Sequence, residues 1–226
     1  MTTHAEDLVE LFESARRRFA DEPLFGTRTG PGSWTWIRYA QFGAQVDAFR
    51  SALAQAGIGA GDRVAIVADN CVPWAAACYA AYGRRAAFVP MYTSQHLDEW
   101  RFILTDCGAK LVIAQTPEIH AVLTQLQREL PALAHVVGGG LPPDAPASWD
   151  AWLARGAARP VSPERPEAHE VAGFVYTSGT TGHPKGVLQS HANLCFTVNA
   201  LTEMFPLGPG HRSLAFLPWA HSFGQI

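Results

Sequence analysis

Ten consecutive residues, Thr177-Ser178-Gly179-Thr180-Thr181-Gly182-His183-Pro184-Lys185-Gly186, combine three glycines, four hydroxyls and one lysine. Glycine admits positive φ and close backbone approach, so successive N–H groups can converge on an anion. The hydroxyls add donors, and an ammonium neutralises phosphate charge as a compact point. The chemistry such a loop can do is to grip a polyphosphate. It is not a Walker loop, which needs lysine directly after the last glycine, because His183 and Pro184 intervene. The same string also fits a plain glycine-rich turn between two strands. A working cation is favoured by usage: Lys110 and Lys185 stand against fifteen arginines, so lysine here departs from the chain's habit.

A second stretch, Leu214-Ala215-Phe216-Leu217-Pro218-Trp219-Ala220-His221-Ser222-Phe223-Gly224-Gln225, reads as an apolar strand ending at Pro218 and then a loop that presents one imidazole between aromatic rings. A lone histidine is more often structural than catalytic, so the residues alone leave His221 open. Cys71, Cys78, Cys107 and Cys195 form no C-x-x-C pair and have no histidine pair at zinc spacing; they read as reduced core thiols.

The elements that must position these residues follow from periodicity. Leu8, Leu11, Phe12, Ala15 and Phe19 predict an amphipathic opening helix that ends before Pro23, with Arg16, Arg17 and Arg18 on its solvated face. Segments 24–28 and 33–37 around Gly30-Pro31-Gly32 predict a hairpin, and 39–55 a helix. Strands are expected at 63–68, 87–90, 110–114 and 135–137, alternating with helices at 72–82, 97–107 and 118–130. That alternation requires parallel pairing, because each crossover needs a helix to carry the chain back. The fold class is α/β, a doubly wound and mainly parallel sheet. Residues 1–137 form the α/β subregion. Residues 138–170, rich in glycine and proline, read as a surface linker with one short helix near 149–153. Residues 171–226 carry the loop and the histidine motif, with a strand at 171–176 and, N-capped by Ser190, a helix from His191 to about Phe205. Trp34, Trp36, Trp74 and Trp100 read as core.

Composition narrows the function. Hydrophobic residues make up 48% and charged residues 16% of 226, which places the chain among globular proteins. A net charge of -3 gives no footprint for a nucleic-acid backbone. The first twenty residues hold charge where a secretory signal needs an apolar run, and no stretch approaches the ~20 apolar residues of a membrane span. The expected compartment is the cytoplasm, with peripheral membrane contact and a homodimer left open.

The string Tyr176 to Val187 resembles the signature of the adenylate-forming, or AMP-binding, superfamily of acyl-CoA synthetases, luciferases and peptide-synthetase adenylation domains. Gly61-Asp62-Arg63-Val64-Ala65-Ile66 and Phe88-Val89-Pro90 are similar to two further family segments. Arg85 departs from the family's usual glycine, and Glu170 from its frequent aspartate. The resemblance implies ATP-dependent activation of a carboxylic acid to an acyl-adenylate, followed by transfer to the thiol of coenzyme A. It implies that Ser178, Gly179, Thr180, Thr181, Gly182 and Lys185 orient the β,γ-phosphates, with Lys185, Thr180 and His221 catalytic. Thr177 would approach the Mg²⁺ that ATP brings, His221 would lie beside the acid's carboxylate, and Phe223 would wall its pocket. Leu217 to His221 looks most like fatty acyl-CoA synthetases, so a fatty acid is the expected substrate. The adenine-stacking segment, ribose-binding aspartate, hinge and C-terminal lysine of the family do not appear. The expectation is an N-terminal fragment, inactive alone, with an exposed sheet edge. The alternative is a non-catalytic nucleotide-binding or interaction module.

Overall fold

The computed structural model describes residues 4–177, 184–205 and 208–221. Helix α1 (Leu8–Arg18) starts at Asp7, whose side chain accepts the Glu10 amide at 2.8 Å and so satisfies a donor that the first turn leaves open. Strands β1 (Pro23–Gly30) and β2 (Ser33–Arg38) pair as a separate antiparallel hairpin. Helix α2 (Tyr39–Gln55) leads into the alternation of β3 (Arg63–Val67), α3 (Val72–Tyr82), β4 (Ala87–Met91), α4 (Leu97–Cys107), β5 (Leu111–Ala114), α5 (Pro117–Gln127) and β6 (His135–Gly138). Helix α6 (Trp149–Ala157), β7 (Val171–Thr177), β8 (Lys185–Ser190) and α7 (His191–Met204) follow.

Six strands form one sheet in the order β6-β5-β3-β4-β7-β8, parallel except where β8 returns antiparallel to β7. Strand side chains alternate between two cores. Val64, Ile66, Phe88, Leu111 and Ile113 face the side of α1, α2, α3 and α6, while Ala65, Val67, Val89, Met91 and Val112 face α4 and α5. Strands covered on both faces read as continuous apolar runs, which is why β3, β4 and β5 are buried nearly throughout. The expected doubly wound α/β sheet is what the chain forms.

Three expectations are corrected. Residues 138–170 are more than a surface connection: α6 runs on to Ala157, and Trp149 and Trp152 are buried against Phe49, with the Trp149 ring stacked on it at 4.4 Å. Further along, the Val161 carbonyl accepts from Arg50 at 3.1 and 2.9 Å, and its amide donates to Ser51 Oγ at 3.0 Å. Trp34 and Trp36 are not core; they are 47% and 39% exposed, because the β1–β2 hairpin stands apart from the main sheet. Finally, residues 211–216 form no strand, since no neighbouring strand is registered to them among the described residues. Leu214 and Phe216 are exposed there.

The two departures from the family pattern meet each other. Arg85 sits at φ 55, the left-handed region where glycine is comfortable and an arginine is strained by roughly 1 kcal/mol. Its guanidinium binds both carboxylate oxygens of Glu170, the residue before β7, with Nε at 3.1 Å. Arg85 holds the Glu170 carboxyl below the usual carboxylate range.

Candidate functional site

Thr177 closes β7 and Lys185 opens β8, and the antiparallel register sets them directly opposite each other. The phosphate-type loop is therefore the end of a hairpin. Because β7 runs parallel to β4, that end lies at the carboxyl edge of the sheet. Thr177 and Lys185 are both exposed. Ser178, Gly179, Thr180, Thr181 and Gly182 lie outside the described residues, as does Phe223.

The root of the hairpin is fixed from below. The Tyr176 hydroxyl donates to Asp106 Oδ2 on α4 at 2.6 Å, and burial together with that carboxylate pushes the phenol's pKa up, so it stays protonated. Across the ladder Gly186 makes room for the tyrosine: a Cβ at that position would lie 3.0 Å from the ring. Tyr176, one residue before the end of β7, is thus tied to a helix.

A crevice opens beside it. The chain leaves β3 toward α3 on one face and leaves β4 toward α4 on the other, so the two carboxyl ends diverge. In open α/β sheets ligands bind in such crevices. Here a cavity of about 330 Å³ is lined by Ala68, Asp69 and Asn70 after β3, by Tyr92 after β4, and by Phe216, Pro218, Trp219 and other residues of the 215–220 segment. Strand β4 meets this edge with Pro90, which has no N–H, and its registered pairing with β7 stops earlier, at Phe88↔Gly173.

The histidine motif reaches the same edge. Trp219 packs against Trp74 and Phe25, with ring centroids at 5.4 and 5.7 Å. The His221 amide donates to the Pro218 carbonyl at 3.0 Å, closing a turn that leaves the histidine exposed. Topology therefore brings Thr177, Lys185 and the His221 turn to one end of neighbouring strands, with β4 between β3 and β7.

Two residues escaped the sequence reading. Asn70 and Asp106 hold the two halves of this edge, yet each sits in an unremarkable stretch. Asp69-Asn70 is legible only as a turn after a strand. Among the described residues no three His, Cys, Asp or Glu side chains gather to hold a metal. No described helix is long and apolar enough to cross a membrane.

The chain is similar to known proteins in both sequence and fold. The long-chain-fatty-acid–CoA ligase FadD15 of Mycobacterium tuberculosis is 32% identical over 202 residues, covering 84% of this chain and 32% of its own length. The peroxisomal long chain acyl-CoA synthetase 6 of Arabidopsis thaliana is 30% identical over 227 residues, covering 94% and 32%. The chain spans about a third of the length of these curated relatives. The inhibitor-bound N-terminal domain of FACL13 from Mycobacterium tuberculosis matches with a TM-score of 0.80 at 23% identity, over 98% of this chain and 53% of that one. The family model described as AMP-binding enzyme matches residues 11–226, and the chain accordingly belongs to the AMP-binding enzyme family.

Proposed function

We propose that this chain carries the phosphate-gripping and acid-positioning part of an ATP-dependent acid–thiol ligase, acting on a fatty acid and passing the acyl group to coenzyme A. A carboxylate is a poor acyl donor because its leaving group would be oxide. Attack of the carboxylate oxygen on the α-phosphate of ATP releases pyrophosphate and leaves an acyl-adenylate, whose AMP departs readily. The demand is for fixed donors and a cation around the departing phosphates rather than for proton transfer.

The observation that carries the reading is the register that sets Thr177 against Lys185 at the carboxyl edge, next to the crevice over which the His221 turn folds. Ser178, Gly179, Thr180, Thr181, Gly182 and Lys185 would hold the β- and γ-phosphates, and His221 with Phe223 the acid. Mg²⁺ enters as part of the nucleotide substrate. It keeps water and phosphate ligands and takes few from protein, which the single hydroxyl of Thr177 suits. The names of the relatives, long-chain fatty acid and long-chain acyl ligases, support an aliphatic acid.

In the full-length protein that carries this chain, Lys185→Ala and Thr180→Val should each weaken ATP binding by about tenfold or more, near 1.4 kcal/mol, in calorimetry. Both should slow fatty-acid-dependent pyrophosphate exchange while leaving acid binding intact. Exchange that proceeds unchanged in both variants removes the loop from the mechanism. A second reading, a nucleotide-binding or interaction module without turnover, draws support from the exposed apolar residues of β8 and α7, Val187, Leu188 and Phe196. ATP binding with no exchange for any acid would favour it.

A further inference from the structure

Asn70 follows β3, and its one carboxamide meets three backbone groups of the segment that leads into His221. Nδ2 donates to the Ala215 carbonyl at 3.1 Å and to the Leu217 carbonyl at 2.8 Å, and Oδ1 accepts the Trp219 amide at 2.7 Å. Only one orientation of the amide fits, because the reverse would set an oxygen against two carbonyls. The turn that carries Asn70 is itself pinned on both sides. The Asp69 amide donates to Gln115 Oε1 at 2.9 Å, and Asp69 Oδ1 accepts from Thr93 Oγ1 at 2.9 Å.

Residues 211–216 have no registered strand partner among the described residues, so no ladder sets their height above the sheet. Asn70 supplies hydrogen bonds that do. From Trp219 the chain has two residues to travel to His221, and the Pro218–His221 bond closes the turn between them. From these contacts we infer that Asn70 is a positioning residue, one that fixes the His221 turn over the β3–β4 crevice and thereby places the imidazole against the acid. The inference rests on the acid-activating reading above. It assigns to a β3–α3 turn residue the control of a side chain about 150 positions later in the sequence.

Two variants test it in the full-length protein that carries this chain. Asn70→Asp removes both donors and turns a carboxylate toward two carbonyls; Asn70→Ala removes all three bonds without adding charge. In each, amide hydrogen exchange over residues 215–221 should accelerate about tenfold or more while β3 and α3 keep their protection. Affinity for palmitoyl-sulfamoyladenosine, a stable mimic of the acyl-adenylate, should fall about tenfold, whereas affinity for ATP stays within about twofold. A merely structural role would weaken both ligands together. Unaltered exchange in both variants, or equal loss of the two affinities, overturns the assignment. Wild-type protein that binds neither ligand overturns the acid-activating reading, and the positioning role with it, even when the exchange result stands.

Discussion

His191 begins α7 at 1% exposure, where its Nδ1 accepts the Leu8 amide at 3.4 Å and its ring meets Tyr82 edge-on. Burial lowers its pKa to about 4, against the pull of Asp7 and Glu170. The unfolded chain takes up the proton first, near pH 6.5, so the native state holds this stability in full above that pH. The contribution, on the order of 3 kcal/mol, drains as pH falls from about 6.5 to about 4 and is flat below. Urea midpoints measured across that window should fall with pH, and His191→Asn, which cannot titrate, should flatten the slope. Equal slopes in the two proteins would show that other groups carry the acid sensitivity. The Arg85–Glu170 pair acts with the same sign, because Arg85 lowers the Glu170 pKa and its contribution likewise fades on acidification.

Helices α2 and α6 pack so closely that a Cβ on Gly156 would lie 1.8 Å from the Ala48 carbonyl oxygen. Neither backbone can yield without opening the stack of Phe49 on Trp149 and Trp152. Gly156→Ala should therefore cost about 3 kcal/mol or more, seen as a large drop in thermal midpoint. An unchanged midpoint would mean that α6 is not held against α2 as described. The loop hairpin is the opposite case. Its root is anchored by Tyr176 and Asp106, and its own residues are exposed from Lys185 to Leu188. An element anchored at its base, with exposed residues along β8, would suit the nucleotide-binding role proposed above.

Among the described residues of the whole molecule, β8 ends the sheet with one edge unpaired, and it carries Val187 and Leu188 at 49% and 58% exposure. Phe196 and Met204 on α7 are also exposed. Such an edge presents a row of free N–H and C=O groups to any other strand, and Lys185 is the single charge along it. Light scattering should show association that grows with protein concentration. Val187→Lys should raise the concentration at which it begins, since a charge on an edge strand opposes pairing. Association equal in both proteins would move the sticky surface elsewhere.

Much of this architecture was legible beforehand. Helices α2, α3 and α4 begin and end where the periodicity of 39–55, 72–82 and 97–107 places them, because period and capping are local properties. The chemical identity of the loop is local too, as ten residues state which donors and which cation are present. What periodicity reports is that a face is apolar, not what will cover it. Trp149 and Trp152 are covered because α6 docks on α2; Trp34 and Trp36 are exposed because their hairpin stands apart from the main sheet. The pairing of Arg85 with Glu170, and of Asn70 with a backbone 149 residues away, depends on strand order alone. The sequence by itself determined the elements and the kind of chemistry they could carry. Tertiary structure decided which residues share the carboxyl edge, because hydrogen bonds between distant positions exist only after the sheet has brought them within 3 Å.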